Sequence, residues 1–158
     1  PYSNMLIFID SLDLLHKHLN SCESVETVKV VIDENMRALV KKNRLPPFLR
    51  KSLHFYVCKF NGKMELVAVI DDVKGKHLPI TYMVIFDGNG KVKRVEVLVY
   101  REKYGWEIKE KEFLRQFEGK TLKDSLRIRN IPGATISVNS ITLGVKRMLI
   151  LYNYVFRK

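Results

Sequence analysis

Between Leu53 and Val99 one pattern recurs, and it constrains the fold more than any other feature: short runs rich in β-branched and aromatic residues, cut by turn pairs. Leu53 to Phe60 and Met64 to Ile70 flank Asn61-Gly62, a strong hairpin signal because a tight reversal between twisted strands needs residues that accept positive φ. Asp71 to Pro79 reads as a loop. Ile80 to Phe86 and Val92 to Tyr100 then flank Asp87-Gly88-Asn89-Gly90, whose glycines supply a second reversal. Val92, Val95, Val97 and Val99, with Arg94 and Glu96 between them, nearly alternate, so that strand has one buried and one wet face.

Helical text stands on either side. Met5, Ile9, Leu12, Leu15 and Leu19 recur at three- and four-residue intervals behind the capping residues Ser3 and Asn4, which predicts an amphipathic helix. Val28, Ile32, Met36, Leu39 and Val40 predict a second helix over Ser24 to Lys42, although the β-branched stretch from Val28 to Ile32 also suits a strand. Pro46-Pro47 stops any helix. Past Gly105, Phe113, Leu114 and Phe117 mark a short helix ending at Gly119, followed by an irregular basic loop. Val138, Ile141, Val145, Leu149, Tyr152 and Phe156 then form a long helical stripe in which Gly144 marks a close contact. The predicted fold class is α+β: an antiparallel sheet of two hairpins flanked by N-terminal helices and a C-terminal helix. The expected organisation is a single domain over 1–158, with a helical part at 1–50 and a core at 53–150.

Composition narrows the function classes. With 158 residues, 46% of them hydrophobic, the chain can bury a core without a metal or disulfide, which excludes intrinsic disorder. No apolar run approaches the length of a membrane span; Met5 to Ile9 and Met148 to Phe156 are too short. Cys22 and Cys58 are too few for a zinc ribbon or a dithiol motif; they can bridge, but partly buried thiols are the expectation. The chain opens on Pro1 without an initiator Met, which raises the expectation that a leader or anchor has been removed. The net charge of +11 favours anionic partners, yet the cations are dispersed in pairs and triplets, as on a solvated surface. No RNP-like run or zinc-finger spacing turns that charge into base reading, so nucleic acid is not expected as a partner. His16, His18, His54 and His77 are scattered without a carboxylate or Ser at motif spacing, so no catalytic or metal-binding residue is assigned.

One segment does not read as ordinary loop. Ile131-Pro132-Gly133-Ala134-Thr135-Ile136-Ser137 leads directly into the long final helix. Gly133 and Ala134 let another molecule approach the backbone, and the first free N–H groups of a helix attract anions. A phosphate bound there would lie beside Thr135, with Arg127 and Arg129 adding full charges. The competing account is that Thr135 or Ser137 simply caps the helix.

An ordered series of motifs carries a resemblance. It runs from the hairpin Ile80 to Val92 through Val95-Glu96-Val97-Leu98, Arg101-Glu102-Lys103-Tyr104-Gly105 and Phe113 to Lys120 to Pro132-Gly133-Ala134-Thr135-Ile136-Ser137. In that order it resembles the FMN-binding domain family, of the kind found as the flavin-carrying subunit of Rnf complexes and Na+-translocating NADH:quinone reductases. The resemblance implies an electron-transfer domain, a redox carrier more than an enzyme, with FMN as cofactor. It also implies that the hydroxyl of Thr135 is joined to the FMN phosphate by a separate flavin transferase using FAD. Gly133, Ala134 and Ser137 would complete that site, Glu102 and Gly105 would border the flavin, and Trp106 would stack on the ring or lie in the core. The family's attachment motif carries an Asp six residues before the Thr and a Ser or Thr three before it, where this sequence has Arg129 and Pro132. With that degenerate motif both attachments stay open, covalent through Thr135 or non-covalent with Arg129 as a phosphate anchor. The implied partners are redox proteins, the transferase and an anionic membrane surface. The implied location is the outer face of the bacterial cytoplasmic membrane, or a periplasmic or extracellular site. A flavin-free basic module for anionic lipid or nucleic acid is the alternative function, and a small FMN-dependent enzyme a third.

Overall fold

The computed structural model of the chain describes residues 15–157. Residues 15–19 are helical; the rest of the first expected helix, with Met5, Ile9, Leu12 and its caps, lies outside the described residues. The elements that follow are β1 (Ser24–Val31), α1 (Glu34–Lys42), β2 (Ser52–Phe60), β3 (Lys63–Lys74), β4 (Pro79–Asp87) and β5 (Val92–Val99). After a 3-10 turn at Trp106–Lys109 come α2 (Lys111–Leu114), a second 3-10 turn at Arg115–Phe117, and α3 (Thr135–Phe156). The strands form one antiparallel meander in the order β1-β2-β3-β4-β5, so the α+β class is as expected.

Three expectations need correction. The helix expected over Ser24 to Lys42 is half strand: Val25, Thr27, Val28, Val30 and Val31 extend as β1 and pair along β2 in the register Val28↔Phe55. The helix begins only where Asp33 accepts a hydrogen bond from the Met36 N–H at 2.9 Å. Asp71 to Pro79 is not a loop throughout, because β3 runs on to Lys74, paired with Pro79, and joins the two hairpins into one sheet. Cys22 and Cys58 are not thiols but a disulfide, their Cα atoms 5.5 Å apart, because the pairing of β1 with β2 folds the segment before β1 back against β2.

Strand periodicity divides the core. Phe55, Val67, Val69, Tyr82, Val84 and Phe86 meet Ile141, Val145, Met148 and Tyr152 of α3. Cys58, Ala68, Met83 and Ile85 point the other way, against Leu15 and Leu19. β4 is therefore buried on both faces and reads as a continuous apolar run. The expected close contact at Gly144 is present: a Cβ there would stand 2.8 Å from Tyr82 Oη.

One polar network crosses this core. Arg147 and Asp71, both fully buried, pair through Nη2 and Oδ2 at 2.6 Å. Arg147 also donates to the carbonyls of Pro46 (2.8 Å), Pro47 (2.9 Å) and Asp72 (2.9 Å). Tyr82 Oη lies 3.0 Å from Asp71 Oδ2 and 2.8 Å from the Gly144 carbonyl, and its single proton serves one of them at a time. Burial first, and then the charge of Asp71, push the Tyr82 phenol well above its ordinary pKa. The network ties α3 to β3, β4 and the segment after α1.

Candidate functional site

The start of α3 is built to leave backbone donors free. Ile131, Pro132 and Gly133 turn the chain, with Gly133 at φ +82° and the Ala134 N–H bonded to the Ile131 carbonyl at 2.9 Å. Ala134 is the N-cap residue and no side chain caps the end. Neither candidate cap does so, because each hydroxyl is engaged elsewhere. Thr135 is exposed, and its Oγ1 accepts a bond from Asn130 Nδ2 at 2.9 Å. Ser137 is buried, with Oγ 2.9 Å from Tyr100 Oη. Since the Tyr100 proton goes to the Tyr104 carbonyl, Ser137 is the donor in that pair. The leading N–H groups of a 22-residue helix therefore face outward without a protein cap.

A cleft of about 440 Å³ opens over this end, within the size range of small-molecule sites. One wall is Gly133 to Ser137; the facing wall comes from the segment after β5, through Tyr100, Glu102 and Tyr104. Small residues let the walls meet: a Cβ on Gly105, at φ +90°, would come within 2.6 Å of Tyr100 Oη and 2.8 Å of the Ala134 Cβ. Glu102 borders the cleft as a brace, its Oε1 accepting N–H bonds from His77 (2.6 Å) and Leu78 (2.8 Å). Those two donors hold its carboxyl below the usual glutamate range. The brace fixes the reversal between β3 and β4 so that Lys76 and His77 line the same cleft.

Of the residues singled out in the sequence, Gly133, Ala134, Thr135, Ser137 and Glu102 line one cleft and Gly105 packs behind it. Arg129 does not line it. Its backbone N–H bonds Gln116 Oε1 at 2.8 Å, and it sits in a neighbouring depression with Glu107, Glu110 and Glu112. Trp106 is not in the core: it is 57% exposed, its indole N–H donating to the Lys103 carbonyl, its ring edge-on to Tyr100 and its face beneath Lys109. Sequence reading missed Lys76, His77, Tyr100, Lys103 and Tyr104. The first two were hidden in a stretch taken for loop; the available signal was Glu102, a carboxylate able to bond a facing reversal.

The family comparison agrees with this geometry. The model of the FMN-binding domain family matches residues 75–150, a stretch that begins at the braced reversal and takes in every wall of the cleft. Over residues 75–150 the chain is similar to FMN-binding domains. No curated protein matches the chain at a significant level. FMN is the cofactor the family indicates, and the residues present fit it. A phosphate dianion matches the uncapped α3 terminus and the cations Lys76 and Lys103. The apolar bodies of Tyr100, Tyr104 and Ile136 suit a flat aromatic ring, and around Gly133 nothing stands where a Cβ would go. β1, α1, β2 and β3 precede the matched stretch and supply the sheet on which α3 is seated.

Proposed function

We propose that this FMN-binding domain is an electron carrier whose flavin is joined through its phosphate to Thr135. Bound FMN supplies one- and two-electron redox chemistry. The observation that carries the reading is the α3 terminus: an exposed threonine hydroxyl beside uncapped backbone donors. Asn130 occupies one lone pair of Thr135 Oγ1 and fixes its rotamer, leaving the hydroxyl proton free to depart. In the attachment step that hydroxyl loses its proton and forms a P–O bond to the FMN phosphoryl group of FAD, while AMP leaves. A separate transferase is the catalyst, so the chain needs no acid or base of its own for this step.

Tyr104, 73% exposed, and Ile136, 51% exposed, form an apolar rim where redox partner proteins can meet the flavin edge. The Cys22–Cys58 disulfide supports a location outside the cytoplasm, on the outer face of a bacterial cytoplasmic membrane or beyond it. Arg129 and Pro132, standing in the attachment motif, favour a second reading in which FMN is held without a covalent bond.

Intact mass under denaturing conditions, after production with a flavin transferase and FAD, tests both. The expected result is a gain equal to FMN less one water, mapped to the peptide containing Thr135 and lost in Thr135→Val. Flavin colour without added mass establishes the non-covalent reading. Denaturation-resistant flavin retained in Thr135→Val refutes the assignment of Thr135.

A further inference from the structure

We propose that the loop joining α1 to β2 is a docking face for the surface of an anionic phospholipid bilayer. Its lipid-facing residues precede the FMN-binding stretch, and it does not depend on how flavin is attached.

Charge is the first observation. From Asn35 to Ser52 the chain carries six cations, Arg37, Lys41, Lys42, Arg44, Arg50 and Lys51, and no acid. Arg50 is neutralised by Asp72 at 2.7 Å and Arg37 lies 3.5 Å from Glu34. Lys41, Lys42, Arg44 and Lys51 are exposed and have no ion-pair partner among the described residues. The second observation is apolar surface among those cations. Val40, Leu45, Pro47 and Phe48 form a groove of about 360 Å³ with Arg37 and Lys41 on its rim, and Leu49 beside it is 48% exposed.

The third observation is rigidity. Arg147 donates from the core to both proline carbonyls, and its guanidinium lies 4.5 Å from the centre of the Phe48 ring. The Leu45 N–H closes the end of α1 on the Val40 carbonyl at 3.0 Å. The face is thus preformed, and contact orders little that is not already ordered.

A bilayer answers both halves of this chemistry at once. Headgroup phosphates neutralise the free cations while Pro47, Phe48 and Leu49 enter the boundary between headgroup and acyl chain. An acidic protein segment would satisfy the lysines but leave that apolar tip against polar groups. No helix of the described residues is long and apolar enough to cross a membrane. Arg147, which braces the face, lies twelve residues beyond Thr135 on α3, about 18 Å along the helix axis, so the two ends of the helix serve different sites.

The experiment is vesicle co-sedimentation of the full chain. Vesicles of equal parts phosphatidylcholine and phosphatidylglycerol are compared with pure phosphatidylcholine, with thermal melts confirming that each variant is folded. The expected result is binding to the mixed vesicles only, falling roughly 25-fold or more in Lys41→Glu with Lys42→Glu, since each lost cation near an anionic surface is worth about fivefold. Leu49→Ser should weaken binding several-fold. A control reverses the same charge at the far sheet edge, Lys91→Glu with Lys93→Glu. No binding to the mixed vesicles, or an equal loss in this control, overturns the proposal. If Leu49→Ser binds as the parent does, and polyglutamate displaces the vesicles, the face takes a soluble acidic partner and the bilayer assignment fails.

Discussion

Replacing Asp71 by Asn is the sharpest test of how this domain is held together. The change keeps shape and volume but removes the charge opposite Arg147, in a place where both side chains are fully buried. A buried ion pair broken from one side typically costs 3–5 kcal/mol, because the surviving charge is left without compensation. Here the surviving cation keeps three carbonyl acceptors, from Pro46, Pro47 and Asp72, which places the expected loss near the lower end, about 3 kcal/mol. Against a total stability of roughly 5–15 kcal/mol that is a large fraction. It corresponds to a fall in melting temperature of about 10 °C for a chain of this size.

The assay is urea unfolding followed by far-UV circular dichroism, with m held as a check that the unfolded surface has not changed. A second variant, Asp71→Leu with Arg147→Met, removes both charges and their desolvation together; its loss should be smaller than that of Asp71→Asn. The native network is already imperfect, since Asp71 Oδ1 and Arg147 Nε have no hydrogen-bond partner among the described residues, so an apolar replacement gives up less than a fully satisfied network would. If Asp71→Asn unfolds within about 1 kcal/mol of the parent, the pair is not a stability element and the reasoning is wrong.

Other outcomes follow from single contacts. Removing the disulfide by Cys22→Ala with Cys58→Ala frees a loop spanning 36 positions and should cost about 3–4 kcal/mol, read as a drop in the urea midpoint. Gly105→Ala forces a Cβ to within 2.6 Å of Tyr100 Oη in a left-handed backbone, and should lower FMN affinity at least tenfold by titration while Gly119→Ala, which meets nothing, leaves it unchanged. Glu102 has a depressed folded-state pKa, so its contribution is present above the ordinary glutamate value of 4.5 and is lost as pH falls below it. Protection of the His77 and Leu78 amides, measured against the exchange of a free amide at the same pH, should therefore fall at acidic pH in the parent and be low at all pH values in Glu102→Ala; protection indifferent to both changes would remove Glu102 as the brace.

What was legible in the sequence was local. Asn61-Gly62 and Asp87 to Gly90 announced their reversals because only a few residues accept positive φ, and Gly144 announced its contact because no other residue fits against Tyr82. β1 was harder, since Val28, Ile32, Met36 and Val40 satisfy a helical spacing and only pairing with β2 decides that the first part extends. The junction at Gly133 to Ser137 was readable from its small residues and its place before a long helix. Lys76 and His77 were not, because they reach the cleft through the pairing of β3 with β4 and the bonds that the His77 and Leu78 N–H groups donate to Glu102, both contacts distant in sequence. Arg129 is the opposite case: close in sequence to Thr135, it lines the neighbouring depression and not the cleft itself.

α3 begins without a side-chain cap. Alanine at an N-cap in place of Ser, Thr or Asp costs about 1 kcal/mol, and this helix accepts that cost although two hydroxyl residues stand within its first turn. Thr135 is turned to Asn130 and Ser137 to Tyr100, so the donors remain available to an anion from outside. An occupied cleft should therefore be a more stable protein: a phosphate there supplies the missing acceptor and meets the positive end of the helix dipole. Free FMN, and more weakly inorganic phosphate, should raise the melting temperature in proportion to the logarithm of concentration. Ala134→Asp, which places a capping carboxylate on the helix end, should raise the melting temperature of the flavin-free protein and abolish that response. A variant that still responds in full would show that the anion is read elsewhere in the cleft, by Lys76 and Lys103, and not by the backbone of α3.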